Sequence, residues 1–188
     1  MIVLALGKKG SGKTALIRKL AYLRLRSGLT PLILYHDPGA QIDHRRGALF
    51  TSVEDAEAYW RANKALPGLS VFRDVDVDEL CLLAMQIKDV TLVIDELDRV
   101  CKGKHWESPA AKRIVHEGRH KRVDLFGTFR STRNVNEDII GQSDYIFLFR
   151  HGGGAYYDLQ TVDLRLGPQW AQIARSLAPK HFAVWSDD

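Results

Sequence analysis

The sequence predicts an α/β fold, a single domain built on a mainly parallel sheet with helices on both faces. Three observations carry that reading. Short apolar runs alternate with helix-patterned stretches along the whole chain, the pattern of consecutive βαβ units. The apolar runs are nearly continuous, as in strands buried on both faces. The first of them, Met1 to Leu6, passes straight into a glycine-rich loop and then a helix. A chain of 188 residues is long enough to bury a substantial core and needs no second domain. The expected domain covers residues 1–188, with the core of the fold in about 1–150 and a closing helix and strand in 151–188.

The elements follow in order. After the first strand and loop, Leu16, Ile17, Leu20, Ala21 and Leu25 recur at helical spacing, and Gly28 suits the end of that helix. Pro31 to Tyr35 reads as a buried strand that drops into the turn His36-Asp37-Pro38-Gly39. Ser52, three residues before Asp55, suits the N-cap of a helix from Val53 to Ala65, which Pro67-Gly68 then ends. Ser70 to Arg73 predicts a short strand and Asp76 to Ile87 an amphipathic helix. Thr91 to Ile94 is a further buried strand, running into Asp95-Glu96. Pro109 to His120 predicts a basic helix, Val123 to Phe129 a strand, Asn136 to Gly141 a short helix and Asp144 to Phe149 a strand. Gly152-Gly-Gly154 reads as a loop, Gln169 to Leu177 as a helix and His181 to Trp185 as the last strand.

Two motifs give this frame a chemistry. Gly7-Lys-Lys-Gly-Ser-Gly-Lys13-Thr14 matches G-x-x-x-x-G-K-T, the Walker A loop, in the strand–loop–helix setting that the motif requires. Its glycines let backbone N–H groups converge on one point, and the helix that opens near Lys13 adds the positive end of its dipole. Gly7, Lys8, Lys9, Gly10, Ser11, Gly12, Lys13 and Thr14 are therefore expected to bind the phosphates of ATP. Lys13 would reach the β- and γ-phosphates, and the Thr14 hydroxyl would hold Mg²⁺. The apolar strand ending in Asp95-Glu96 matches Walker B. There Asp95 would hold Mg²⁺ through water, and Glu96 would polarise the attacking water, which favours hydrolysis over transfer to a small acceptor. The fold expected is accordingly that of a P-loop NTPase, RecA-like in its layout.

Composition narrows the setting. No apolar run approaches the length of a membrane span, and the six-residue run at the start lacks a basic leader and is taken up by the loop. An intracellular location is expected. Cys81 and Cys101 show no metal-type spacing and are expected to be reduced. The net charge of +4 is unevenly placed, because residues 102–133 hold nine Lys or Arg against three acids, a local +6. Such a block reads either as a footprint for a polyanion or as a solvated helix face.

His116-Glu-Gly-Arg-His120 fits H-E-x-x-H, a zinc-binding helix signature. Gly118 weakens the helix that must carry the ligands, and Lys112, Arg113, Lys121 and Arg122 around it disfavour a dication. Zinc is therefore not expected.

The stretch Gly118-Arg-His-Lys-Arg-Val-Asp-Leu-Phe-Gly-Thr-Phe-Arg-Ser-Thr-Arg-Asn-Val-Asn136 resembles a region of the FtsK–HerA superfamily. In that superfamily a GR(H/K) turn leads into the strand between the two Walker strands. The strand typically ends in a Thr-Gln-Arg-Pro-like sensor, and a later D-Y-I-F-L-F-R is matched here by Asp144 to Arg150. Over residues 1 to 150 the chain looks most like the genome-packaging ATPases of tailless, membrane-containing double-stranded DNA viruses. It departs at the sensor, where Phe129 stands in place of the glutamine and leaves Thr128 and Arg130 as the neighbouring polar groups.

The resemblance implies an ATP-driven translocase of double-stranded DNA, a viral packaging motor that uses ATP and Mg²⁺. It also implies a homo-oligomer, a hexameric ring in which one subunit's arginine reaches the neighbour's γ-phosphate. Arg119, at the GRH position, is the first choice for that finger, with Arg130 and Arg133 behind it. Partners would be DNA and capsid or membrane-vertex proteins, and the location host cytoplasm or virion. Three rivals fit the same motifs less well. An assembly ATPase resembling the zonular occludens toxin group lacks its usual membrane segment here. A small-molecule P-loop kinase would need an acceptor pocket and lid. A nucleotide-gated DNA-binding module would turn over no ATP.

Overall fold

In a computed structural model of the chain, the residues described are 1–38, 47–63, 68–102, 105–130, 135–150, 166–167 and 169–187. The elements are β1 (Ile2–Leu6), α1 (Lys13–Arg26), β2 (Leu32–His36), β3 (Ala48–Phe50), α2 (Val53–Asn63), β4 (Leu69–Phe72), α3 (Val77–Ile87) and β5 (Val90–Ile94). A single 3-10 turn (Leu97–Arg99) and a small hairpin of β6 (Cys101–Lys102) and β7 (His105–Trp106) come next. Then follow α4 (Pro109–Lys121), β8 (Val123–Phe129), α5 (Glu137–Gly141), β9 (Tyr145–Phe149), α6 (Gln169–Ser176) and β10 (Phe182–Ser186).

Eight strands form one sheet in the order β10-β9-β1-β8-β5-β2-β4-β3. All pairs are parallel except β10 with β9. The expected mainly parallel sheet is thus present, and β8 lies between β1 and β5, the two Walker strands. Register is tight there: Leu4 pairs with Gly127 on one side of β8, and Leu92 with Leu125 on the other. The parallel arrangement places the C-terminal ends of β1, β5 and β8 along one edge, where the loops after them converge.

Side chains alternate between two cores, as the pleat dictates. Leu4, Leu6, Leu34, Leu92, Ile94 and Leu125 face one side, where α2 to α6 contribute Trp60, Leu80, Ile114, Ile139 and Ala174. Val3, Ala5, Ile33, Val93 and Phe126 face the other, where α1 brings Ile17 and Ala21. Helices cover both faces as expected, though unequally: among the described residues α1 alone packs on the second face. Leu4, Leu34 and Leu92 are fully buried, each such side chain stabilising by about 2 kcal/mol.

Local chemistry sets the helix ends. Ser52 Oγ accepts from Asp55 N at 3.1 Å at the head of α2. Asp76 caps α3 through Asp78 N. Ser108 caps α4 through Ala111 N at 3.0 Å, with Pro109 in the first turn. The Asp78 carboxylate also accepts from Ser108 Oγ and, at 3.0 Å, from Ala110 N, so α3 braces the start of α4.

Two expectations about α4 change. Gly118 does not end or break the helix, which continues to Lys121. A Cβ there would stand 3.2 Å from the Val123 carbonyl, so the glycine permits α4 to pack on β8. Gly118-Arg-His120 is also not a turn, because the chain reverses only at Arg122, in the left-handed conformation with φ 55°. The expected loop at 152–154 lies outside the described residues, as does Arg133. No described helix is long and apolar enough to cross a membrane.

Candidate active site

The loop between β1 and α1 is shaped by three glycines. Gly10 and Gly12 have φ of 78° and 104°, the left-handed region that side-chain-bearing residues disfavour. Gly7 is required for a different reason, since a Cβ there would lie 2.7 Å from Phe149 Cβ at the end of β9. The loop is pinned at its start by Gly7 N donating to the Phe129 carbonyl at 3.2 Å and inside by Ser11 N donating to Lys8 O at 3.2 Å. Ser11 Oγ is buried and, among the described residues, has no hydrogen-bond partner, which suits a loop that closes on an anion.

Lys13, at the head of α1, is 6% exposed, and its Nζ donates to the Lys8 carbonyl at 2.8 Å. Burial holds its pKa below the usual lysine value, while Asp95 and Asp98 nearby pull it back up and Arg130 pushes it down. Thr14 Oγ1 lies 3.2 and 3.1 Å from the two carboxylate oxygens of Asp95, which sits directly after β5. The loop and the Walker B strand therefore meet at these two side chains.

Glu96 is 6% exposed and left-handed, with φ 62° and ψ 49°, a conformation that costs a non-glycine residue about 1 kcal/mol. Its N–H donates to Thr128 Oγ1 at 2.9 Å. Its carboxylate faces two cations: Arg99 Nη2 stands 2.6 Å from Oε2, and the Arg130 guanidinium touches Oε1. Thr128, 1% exposed near the end of β8, donates to Asp95 Oδ1 at 2.5 Å.

Lys9, Gly10, Lys13, Thr14, Asp95, Glu96, Thr128 and Arg130 together line one open cleft of about 240 Å³. The fold thus brings together Lys13, Thr14, Asp95, Glu96 and Arg130 from the sequence-derived candidates. It does not bring Arg119 there. That residue ends α4 and pairs with Asp144 at 2.5 Å, where β8, β9 and β1 begin, at the opposite edge of the sheet. Phe129 is fully buried in the core that holds α4.

Sequence reasoning missed Arg99, and nothing in the string Asp-Glu-Leu-Asp-Arg distinguishes it. Its i,i+3 approach to Glu96 depends on the 3-10 turn that follows a left-handed residue. The basic block also changes character. Arg113, Arg119, Arg122 and Arg130, its four described arginines, each pair with an acid of this chain: Glu117, Asp144, Asp89 and Glu96. His116 and His120 are exposed on α4, and among the described residues no group of three or more His, Cys, Asp or Glu converges as a metal cluster would. Cys81 and Cys101 are both buried and free.

The donor set fits the groups the motifs imply. A glycine-rich loop with two left-handed glycines, a buried lysine and a buried hydroxyl unpartnered among the described residues suit a polyphosphate. The adjoining Thr14 hydroxyl and Asp95 carboxylate are hard oxygen donors of the kind Mg²⁺ takes.

No family profile matches the sequence, and no curated protein matches it. Solved structures do share the fold. The genome packaging NTPase B204 from Sulfolobus turreted icosahedral virus 2, in complex with ATP-gammaS, aligns at a TM-score of 0.81 with 21% identity. The match covers 98% of this chain and 91% of that one. B204, the DNA-packaging ATPase from Sulfolobus Turreted Icosahedral Virus, aligns at 0.74 with 18% identity over 98% and 91%. The cytoplasmic domain of the Thermomonospora curvata type VII secretion ATPase EccC aligns at 0.53 with 15% identity, covering 98% of this chain but 24% of that one. The fold is that of P-loop NTPases.

Proposed function

We propose that this protein hydrolyses ATP to move double-stranded DNA, as the packaging motor of a viral genome. One observation carries the catalytic part. Lys13 and Thr14 from the loop, Asp95 and Glu96 from the end of β5, and Arg130 from the end of β8 line a single cleft. Lys13 and the loop N–H groups bind and orient the β- and γ-phosphates. Glu96 lies within the same cleft, where it polarises a water for attack on the γ-phosphorus. Thr14 and Asp95 would hold Mg²⁺, which would supply charge neutralisation for the phosphates.

The DNA part has separate support. The likeness to packaging NTPases spans nearly the whole of both chains, and residues 118–150 carry the resemblance to DNA translocases described above. The subunits would form a homo-oligomeric ring, a hexamer, at a capsid or membrane vertex. Arg119 remains the proposed trans finger. A group that completes a neighbour's site must stand away from its own, and β8 separates Arg119 from the local cleft by about 20 Å. Arg130 lines its own subunit's cleft and acts in cis.

Steady-state ATPase activity with and without long double-stranded DNA, at two salt concentrations, tests the proposal. DNA should stimulate turnover, less so at the higher salt. Turnover that ignores DNA at both salts would defeat the translocase reading, and no turnover at all would defeat the ATPase reading.

A further inference from the structure

We infer that Thr128 is a positioning residue whose hydroxyl sets the geometry of Asp95 and Glu96 toward each other, and that it is not a γ-phosphate sensor. The inference rests on reading the cleft as a site of ATP hydrolysis. A threonine Oγ1 has one proton to give and accepts through its lone pairs. Here the proton goes to Asp95 Oδ1 at 2.5 Å, and the Glu96 N–H arrives at 2.9 Å. With Thr128 1% exposed, no proton remains to donate to a phosphate oxygen.

The position explains the use. Backbone pairing between β5 and β8 ends at Ile94 and Gly127, so the peptide N–H of Glu96 has no strand partner. The Thr128 side chain continues the ladder where the backbone stops. It meets a residue held in the left-handed conformation, φ 62°, and anchors its N–H, while Arg99 and Arg130 face its carboxylate. The same oxygen restrains the carboxylate that Thr14 approaches from the other side at 3.1 Å. One buried atom therefore fixes both the group expected to hold Mg²⁺ and the group expected to polarise water. Phe129 turns into the core, so among the described residues at the end of β8 it is Thr128 and Arg130 that line the cleft.

Thr128→Val removes the hydroxyl at nearly constant shape, and Thr128→Ser keeps it. For Thr128→Val the ATPase kcat should fall about 100-fold, the scale of a misplaced catalytic group. Affinities for ATP and ADP without Mg²⁺ should stay within about twofold of wild type, and Thr128→Ser should recover kcat to within roughly threefold of it. If Thr128→Val loses ATP affinity but keeps ADP affinity, Thr128 contacts the γ-phosphate and the inference is overturned. Unchanged kcat overturns it equally. A readout independent of turnover is Mn²⁺ binding followed by electron paramagnetic resonance in the presence of ADP. Thr128→Val should weaken it about tenfold through the freed Asp95, and Thr128→Ser should not. If the wild type hydrolyses no ATP, the reading of the cleft fails by itself, and equal Mn²⁺ affinity in wild type and Thr128→Val would then also sink the positioning role. Should Thr128→Val not fold, Thr128→Ala, which adds no volume, carries the same expectations.

Discussion

The Arg99 guanidinium stands 2.6 Å from Oε2 of Glu96, one 3-10 turn after the residue proposed to polarise water. Arg99 is more than half exposed, so the pair adds at most about 1 kcal/mol to stability. Its effect should appear in catalysis, because it restrains a carboxylate that Arg130 holds from the other side. Arg99→Ala is expected to lower kcat about tenfold while leaving nucleotide affinity unchanged. A variant with normal kcat would show that Arg130 alone suffices to place Glu96.

Lys13→Ala and Glu96→Gln should both abolish turnover by separate routes. Lys13 is proposed to bind phosphate, so its loss should weaken ATP affinity by at least tenfold. Glu96 is proposed to act on water, so the amide should still bind ATP and retain it unhydrolysed. Equilibrium binding and single-turnover assays distinguish the two. Near-normal turnover by Glu96→Gln would remove this residue from its proposed role.

Arg119→Ala should keep ATP binding, since the residue lies at the far edge of the sheet. Its hydrolysis should fall about 10³-fold if it completes a neighbour's site. Mixing it with Glu96→Gln should restore part of the activity, because the Glu96→Gln chain donates Arg119 to a partner whose Glu96 is intact. A dead mixture, with loss confined to DNA stimulation and a salt slope shallower by about one, would place Arg119 on DNA phosphates instead.

His36, at the end of β2, is buried, and its Nε2 lies 3.2 Å from the Val75 carbonyl. Burial lowers its pKa from 6.5. The Val75 carbonyl, Asp37 and Asp95 oppose that shift, and Arg99 adds to it. The unfolded chain therefore binds the proton more readily, and stability rises with pH through this window. Stability is fully present above about pH 6.5 and is lost as pH falls through the lower folded value. Urea unfolding midpoints should drop on acidification below that point, and the drop should shrink in His36→Gln. An equal drop in both proteins would assign the effect elsewhere.

The parts legible in the sequence are those that local chemistry dictates. β8 runs from Val123 to Phe129 as its apolar run predicts, and Lys13, Thr14, Asp95 and Glu96 meet where the two motifs imply. The rest depends on partners distant in sequence. β3 is only three residues, too short to show a period, and forms by pairing with β4. β6 and β7 are two residues each. The positive count over 102–133 overstates the free charge, because Asp89, Asp144 and Glu96 answer three of its arginines from outside the segment. Thr128 was visible as a polar neighbour of the sensor position, but the commitment of its hydroxyl emerges only once β5 and β8 lie side by side.

The reversed direction of β10 has a practical consequence for handling the protein. Because it runs against β9, residue 187 returns to the edge where β1 and β9 begin, and Asp187 N donates to the Asp144 carbonyl at 3.2 Å. Met1 lies at that same edge. A fluorophore or surface linkage attached through either residue would sit a strand's length, about 20 Å, from the nucleotide cleft. Immobilised in that way, the molecule would present the cleft to solution, so the proposed ATP binding could be tested on single tethered subunits without the tether occluding the site.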